Sequence, residues 1–345
     1  MTRSRKHFLL ALLGLTLVAF ITKVDVIYAG EEELASLAAT LSDTHFAYDK
    51  ETVVQPSNHM EEKLETSKYR VRRLSFPSIG ENGQDGNLVT GLYYQSKLPG
   101  KKKLVIVLPI WGTHTYPSRK MTKSLLAYSR GDMNVLRILG ENFLFDWEAM
   151  RAVSTEEAVI VVARQMAERV QTHVIDIRRI VDWTETQPDI DPERVGLIGF
   201  SMGGLVGSLI MANEPRIAAS AFAMGGANPH EMIASCWGRA AEIRKTLLRR
   251  FGWTTETFAS KIEKPLAPIN PTSYAGQVDP KNVIVFDAQY DTCIPKSGRD
   301  AFWDALGRPE RISWPYNHKM AFLTMTPLGL NKMRRKIYTF LEAKL

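Results

Sequence analysis

The chain has 345 residues, of which 45% are hydrophobic and 23% charged, and this ordinary globular composition excludes a largely disordered or low-complexity protein. Part of the formal net charge of +7 lies at the extreme N-terminus, and the remaining surplus is too small to indicate nucleic-acid binding. The length fits one large α/β domain with an insertion, or two small domains.

The N-terminus has the pattern of an export segment. Basic residues precede an uncharged apolar run of 14 residues, Phe8–Ile21, which is the length of a signal-peptide core and short for a membrane span. A signal-peptidase pattern follows, with Ile27 and Ala29 at positions −3 and −1 if cleavage precedes Gly30. Lys23 and Asp25 lie between this pattern and the apolar run, so the spacing is looser than usual. We therefore expect residues 1–29 to be a signal peptide or an uncleaved membrane anchor, with a buried core helix as the weaker alternative. In both export interpretations the rest of the chain lies outside the cytoplasm, in the periplasm, secreted or membrane-anchored.

Residues 30–68 are predicted to be a lead-in to the main domain, which spans 69–345. Glu31–Leu41 has the composition of a helix, and the rest of the lead-in is polar and mixed. Tyr69–Phe76 and Val89–Ser96 alternate as strands do, and the glycine-rich turn between them predicts a hairpin.

The pattern then changes to short aliphatic runs alternating with helical stretches. Such runs are typical of strands buried on both faces of a parallel sheet, and the alternation predicts an α/β fold with a mostly parallel sheet flanked by helices. The predicted strands are Leu104–Leu108, Met133–Leu139, Val195–Gly199, Ala218–Met224, Val283–Asp287 and Arg311–Trp314. The predicted helices are Glu156–Glu185, Met202–Ala212 and Gly329–Leu345.

About 58 residues separate the strands near positions 224 and 283, far more than one crossover helix requires. Pro229–Phe258 is helical in character, so we predict a helical cap insertion at about residues 226–275. Within it, Arg239–Phe251 forms a basic amphipathic helix. That helix is suited to a membrane surface or an anionic substrate, but the interpretation we favour is a core-facing stripe with a solvated face.

Cys236 and Cys293 are the only cysteines, and no Cys/His cluster accompanies them, so a structural zinc site is not expected. Two cysteines alone do not show that they meet. We expect two buried thiols, with a disulfide as the alternative in an exported protein.

Residues 199–203 have the sequence G-F-S-M-G, which fits the nucleophile-elbow pattern G-x-S-x-G. A serine hydroxyl needs to be held exposed beside a base to act as a nucleophile. Here Ser201 follows a predicted buried strand and opens a predicted helix, which is the context the motif requires. The Met202 N–H starts that helix and is placed to stabilise an oxyanion. The alternative is a glycine-rich turn that only packs tightly.

The stretch Asp191–Gly204 resembles the elbow region of α/β-hydrolases, most closely the dienelactone-hydrolase-like and prolyl-oligopeptidase-like branches. The resemblance covers roughly residues 70–345 and implies a serine, acid, histidine order along the chain. Dienelactone hydrolases proper carry cysteine where this chain has Ser201. Serine there also argues against dehalogenase and epoxide-hydrolase chemistry, for which relatives use aspartate.

Asp291 follows a predicted strand, and its D-T-C-I-P context resembles the family's D-x-x-V-P, which implies the acid. Asp287, at the strand end itself, is the rival, and a turn-capping role is the alternative for both. His318 is the only one of seven histidines that lies after Asp291, and its order matches the family's general base.

The second oxyanion donor is expected after the strand Leu104–Leu108, where related enzymes carry H-G-x-G. This chain has P-I-W-G instead, and Pro109 has no N–H to donate. Trp111 aligns with the usual donor, and Ile110 is the alternative. Ile110, Trp111 and Trp237 are the candidate substrate-binding residues, with core packing as the competing explanation for Trp111.

These observations predict a serine carboxylesterase with Ser201, Asp291 and His318 as the triad and a small-molecule ester as substrate. No cofactor, metal or nucleic acid is called for, and membrane association is expected only through the N-terminus. A peptidase or amidase of the prolyl-oligopeptidase-like type and a non-catalytic binding protein on the same fold are the alternatives. The sequence does not indicate an oligomeric state.

Overall fold

A computed structural model describes residues 36–79, 88–110, 116–140 and 146–345 of the chain. The predicted export segment, the turn at 80–86 and Trp111 lie outside the described residues. No helix among the described residues is both long enough and apolar enough to cross a membrane.

The described residues form one nine-stranded sheet, whose strands in chain order are β1 (Ser57–Met60), β2 (Tyr69–Pro77), β3 (Leu88–Ser96), β4 (Lys102–Val107), β5 (Asn134–Ile138), β6 (Ile190–Phe200), β7 (Ile217–Ala223), β8 (Val283–Ala288) and β9 (Glu310–Trp314). Their spatial order is β1-β2-β3-β5-β4-β6-β7-β8-β9. The pairings from β1 to β5 are antiparallel and those from β5 to β9 are parallel. This is the mostly parallel sheet that the sequence predicts.

Two hydrophobic cores cover the faces of the sheet, which explains the continuous aliphatic runs. Along β4, Leu104 and Ile106 face one core, whereas Val105 and Val107 face the other. A strand covered on both faces buries every side chain, so its sequence loses the alternation seen in β2.

The helices are α1 (residues 36–45), α2 (Tyr116–Ser129), α3 (Trp147–Ala152), α4 (Glu156–Glu185), α5 (Met202–Asn213), α6 (Pro229–Ser235), α7 (Arg239–Phe251), α8 (Thr255–Leu266), α9 (Lys296–Ala305), α10 (His318–Ala321) and α11 (Lys332–Lys344). Helices α4 and α5 pack in the larger core, and α2 and α11 in the smaller one on the opposite face.

The interval between β7 and β8 holds α6, α7 and α8, and α8 packs against α4 and α6. Helix α7 buries Ile243 and Leu247, as a core-facing stripe requires. Two of its cations donate to backbone carbonyls outside α7. Arg244 donates to the carbonyl of Ile233 in α6 at 3.2 Å, and Arg250 donates to the carbonyl of Val153. The described contacts therefore fit the favoured interpretation of this helix.

The segment before β1 is more firmly attached than a lead-in suggests. Phe46 is fully buried, and its ring centroid lies 5.3 Å from that of Tyr274. Its carbonyl accepts from Arg178 Nη1 of α4 at 2.5 Å, and the Tyr48 hydroxyl donates to Asp182 at 2.9 Å. These contacts bind residues 46–48 to α4.

Candidate active site

Ser201 lies alone between the last residue of β6 and the first residue of α5. Its φ of 52° and ψ of −117° fall in a region that L-residues rarely occupy. The Ser201 N–H donates to the carbonyl of Ala223 at 2.8 Å, and its own carbonyl accepts from Gly204 N–H at 2.8 Å. Strained backbone of this kind is characteristic of functional sites, and here it turns the hydroxyl out of the strand–helix junction.

The two glycines of the motif leave room for this turn. A Cβ on Gly199 would overlap the backbone of Gly203, and a Cβ on Gly203 would overlap the carbonyl oxygen of Pro109. The second contact packs the end of β4 directly against the elbow, so the segment expected to supply the second oxyanion donor starts beside Ser201.

His318 connects the other two members of the predicted triad. Its Nε2 lies 3.2 Å from Ser201 Oγ, and its Nδ1 lies 2.6 Å from Asp291 Oδ2. The histidine is the first residue of α10, whose N-terminus is capped by Asn317 accepting from Met320 N–H at 2.9 Å. Three side chains separated by up to 117 positions along the chain thus meet at the carboxyl edge of the sheet.

The Asp291 carboxylate is completely buried, and both of its oxygens have hydrogen-bond partners. Oδ1 accepts from the N–H groups of Cys293 at 2.8 Å and Ile294 at 2.9 Å, which leaves Oδ2 for His318. Arg299 of α9, itself buried, donates to the carbonyl of Ile294 at 2.7 Å from behind the loop. Sequence reasoning missed Arg299, because nothing in its local pattern distinguishes it from a solvated helix cation.

Asp287, the rival acid, has other partners. Its Oδ2 accepts from Arg311 Nε at 2.9 Å, and its Oδ1 accepts from the Ser313 hydroxyl. The structure therefore brings Asp291, and not Asp287, to His318.

Of the predicted oxyanion donors, Met202 begins α5, so its N–H lies in the helical turn that has no intrahelical acceptor. Trp111 lies outside the described residues. Ile110 is partly buried and packs against the smaller core.

Trp237 lies at the candidate site although it belongs to the insertion. Its ring centroid is 6.5 Å from that of His318 in an edge-to-face arrangement, and 43% of the residue is exposed. Lys319 Nζ lies 3.8 Å from the indole centroid, a cation–π contact that the sequence did not reveal. This arrangement places an aromatic wall beside the imidazole.

The expectation of two free thiols is wrong, because Cys236 and Cys293 form a disulfide. The loop after α6 returns to the sheet edge and meets the loop that carries the acid. The bond joins the neighbour of Trp237 to the residue whose N–H donates to Asp291. The insertion and the acid loop are thus covalently tied at the site.

Comparison with known proteins gives a family and a fold. Residues 89–266 match the model of the dienelactone hydrolase family. Two curated relatives, both uncharacterized proteins from strains of Mycobacterium tuberculosis, are 26% identical over 146 residues. That match covers 42% of this chain and only 32% of each relative's length.

Solved structures with the same architecture include an acetyl xylan esterase from a Paenibacillus species, with a TM-score of 0.59, 14% identity, and coverage of 89% of this chain and 92% of that one. Acetyl xylan esterase 1 from a Thermoanaerobacterium species gives a TM-score of 0.59 at 15% identity, covering 86% and 93% of the two chains. An acylaminoacyl peptidase from Pyrococcus horikoshii gives 0.51 at 17% identity, covering 83% of this chain and 43% of that one. At these identities the likeness shows the fold alone, and the predicted α/β-hydrolase fold is confirmed.

Proposed function

The chain belongs to the dienelactone hydrolase family, and from this premise we propose that it is a serine hydrolase that cleaves carboxylic esters through an acyl-enzyme on Ser201. One observation carries the proposal: His318 lies within hydrogen-bond distance of both the Ser201 hydroxyl and the Asp291 carboxylate. A lactone is a cyclic ester, so the family's name supports an ester rather than an amide as substrate.

In the first half of the reaction, Ser201 Oγ attacks the ester carbonyl carbon while its proton passes to His318 Nε2. Asp291 accepts the Nδ1–H, which fixes the tautomer that can accept this proton and stabilises the imidazolium that forms. The oxyanion of the tetrahedral intermediate accepts from the Met202 N–H, aided by the N-terminal end of the α5 dipole. The second donor is expected from Ile110 or Trp111, next to the Pro109 contact with the elbow.

In the second half, His318 gives its proton to the leaving alkoxide and the acyl group remains on Ser201. Water then attacks the acyl-enzyme with His318 as general base, the bond between the acyl carbon and Ser201 Oγ breaks as His318 returns the proton to Oγ, and the acid product leaves. Trp237 borders the imidazole, so it lines the path of the acyl or alcohol group.

A fluorophosphonate probe tests the nucleophile, because it reacts only with an activated serine. We expect intact-mass analysis to show one adduct on the wild-type protein, peptide mapping to locate it at Ser201, and the S201A variant to show none. Folded wild-type protein without an adduct would favour a non-catalytic binding protein. A panel of p-nitrophenyl esters of graded acyl length against aminoacyl anilides tests the bond, and faster anilide turnover would favour a peptidase.

Residues 1–29 are proposed to direct the chain out of the cytoplasm, as a cleaved signal or as an anchor. The disulfide supports this, because such bonds persist in oxidising compartments. Cell fractionation with N-terminal sequencing tests it. A chain that starts at Met1 in the soluble cytoplasmic fraction would contradict both forms.

A further inference from the structure

Exposed apolar side chains cluster in the segment that follows the candidate active-site histidine. Met320, Leu323, Leu328 and Leu330 have exposed fractions of 44%, 37%, 89% and 65%. They form one surface, because a Cβ on Gly329 would overlap the backbone of Leu323. The chain at 328–330 therefore lies directly on the turn at 322–325.

Helix α2 borders this surface on the side of α11. Arg334 of α11 donates to the Ser124 hydroxyl of α2, and four residues further along both helices the rings of Tyr128 and Tyr338 lie 5.3 Å apart. The two helices thus run in the same direction. The first turn of α11 lies beside the third turn of α2, so the first two turns of α2 extend past the start of α11, toward the turn at 322–325 that α2 also contacts.

The same region is cationic. The sequence intervals 116–131 and 312–341 contain nine Lys and Arg residues and no Asp or Glu; of the nine, Arg334 is buried and Lys336 pairs with Glu310 at 2.9 Å. The exposed cations of these intervals are Arg119, Lys123, Arg130, Lys319, Lys332 and Arg335. Apolar side chains surrounded by cations are the composition of surfaces that bind anionic lipid.

We propose that this surface docks on an anionic lipid bilayer. We call it the docking face and define it as the exposed side chains of residues 116–123, 319–330 and 332–335. Lys319 directly follows His318, so docking would turn the mouth of the site toward the lipid headgroups. If the proposed function holds, the natural esters are amphiphilic molecules held at that interface, whereas docking itself does not depend on catalysis.

Charge complementarity favours lipid over a second copy of the chain. A two-fold dimer through this face would bring two clusters of cations together, which is unfavourable where anions are absent. A single anionic bilayer supplies both the opposite charge and an apolar layer into which the leucines can insert.

Hydrogen exchange of the full chain, with and without vesicles, tests the location of docking. We expect vesicles of mixed phosphatidylglycerol and phosphatidylcholine to slow exchange at residues 116–123 and 319–335. Pure phosphatidylcholine vesicles are expected to have little effect there, and added salt is expected to weaken the protection. The S201A variant is expected to give the same protection, so failure of docking and failure of the proposed function are distinguishable.

Two variants of the docking face test its contribution, with affinity measured by vesicle co-sedimentation. L328S/L330S removes apolar area and K332E/R335E reverses two charges, while both leave the triad untouched. We expect affinity for anionic vesicles to fall by roughly tenfold in the first and roughly thirtyfold or more in the second. Turnover of a soluble ester should equal that of wild type in both.

Matched controls lie elsewhere on the surface. L64S/L98S removes two leucines that are 43% and 48% exposed, and K245E/R249E reverses two exposed cations of α7. We expect wild-type vesicle affinity from both. Three results would overturn the proposal. The control variants could lose as much vesicle affinity as the docking-face variants, or vesicles could slow exchange on α7 or elsewhere but not on the docking face. The third is a wild-type dimer that L328S/L330S converts to a monomer.

Discussion

Substitution by asparagine should lower the activity at Asp291 and the stability at Asp287, although the two aspartates are only four positions apart. In Asp291→Asn the side-chain oxygen can still accept from Cys293 and Ile294, but the amide NH₂ then faces His318 Nδ1. Nδ1 must become an acceptor, so Nε2 carries the proton and can no longer accept the one from Ser201. We expect kcat to fall by about 10³–10⁴-fold, or about 4–5.5 kcal/mol of transition-state stabilisation.

The stability of the Asp291→Asn variant should change little, by about 1 kcal/mol, since both backbone donors keep an acceptor. Asp287→Asn reverses the pattern. It removes the carboxylate shared by Arg311 and the buried Arg299, whose Nε lies 3.7 Å from Asp287 Oδ2. Arg311 keeps its ion pair with Asp300, but the Arg299 charge loses its carboxylate. We expect a loss of about 3 kcal/mol in unfolding free energy, with kcat of the folded protein within a few-fold of wild type.

Initial rates on a soluble p-nitrophenyl ester and urea unfolding followed by tryptophan fluorescence separate the two effects. Each variant serves as the other's control, because the chemical change is identical. A folded Asp287→Asn variant that loses 10³-fold in kcat, beside an active Asp291→Asn variant, would refute the assignment of the acid.

Three further outcomes are expected. Gly199→Ala should unfold at markedly lower urea or fail to fold, since its Cβ would overlap the backbone in the first turn of α5; wild-type unfolding would show that the elbow is looser than described. Reducing the bond between Cys236 and Cys293, 57 positions apart, should cost about 4 kcal/mol of unfolding free energy, and dithiothreitol should not affect the double serine variant. Burial lowers the pKa of His173 to about 4 and raises the pKa of Asp176 to about 6. The histidine's contribution to stability is therefore present above pH 6.5 and lost toward pH 4, whereas that of the aspartate is present below pH 3.8 and lost as pH rises through 6. Urea unfolding from pH 4 to 8 checks both effects. His173→Gln should reduce the loss of unfolding free energy on acidification by about 3 kcal/mol, and Asp176→Asn should be more stable than wild type above pH 6. Wild-type pH profiles in both variants would contradict this.

Sequence reasoning worked best where one physical constraint acts on neighbouring residues. Helix α4 has the predicted bounds, because Thr155 caps its first turn, accepting from Ala158 N–H at 3.2 Å, and an apolar stripe runs along its length. The elbow was equally visible, because the atoms that a Cβ on Gly199 would overlap belong to Gly203, within the motif itself. His318 followed from order along the chain, because no other histidine comes after Asp291.

The features that were missed depend on partners far away in the chain. β1 has four exposed residues and so carries no alternation that a pattern could reveal. The support of the Asp291 loop by Arg299, the Lys319–Trp237 contact and the disulfide each join segments whose meeting is decided by the packing of the whole sheet. Local periodicity holds no information about contacts between segments that are distant in the sequence.

The bond between Cys236 and Cys293 encloses α7, α8 and β8 in a covalent ring. A protease that cuts the backbone inside this ring cannot separate the two pieces, and the fragment ending in the cut stays attached beside the acid loop. Such a nicked molecule would migrate as one band on a non-reducing gel and as two after reduction. Surface loops between positions 237 and 292 are therefore places where cleavage need not mean dissociation.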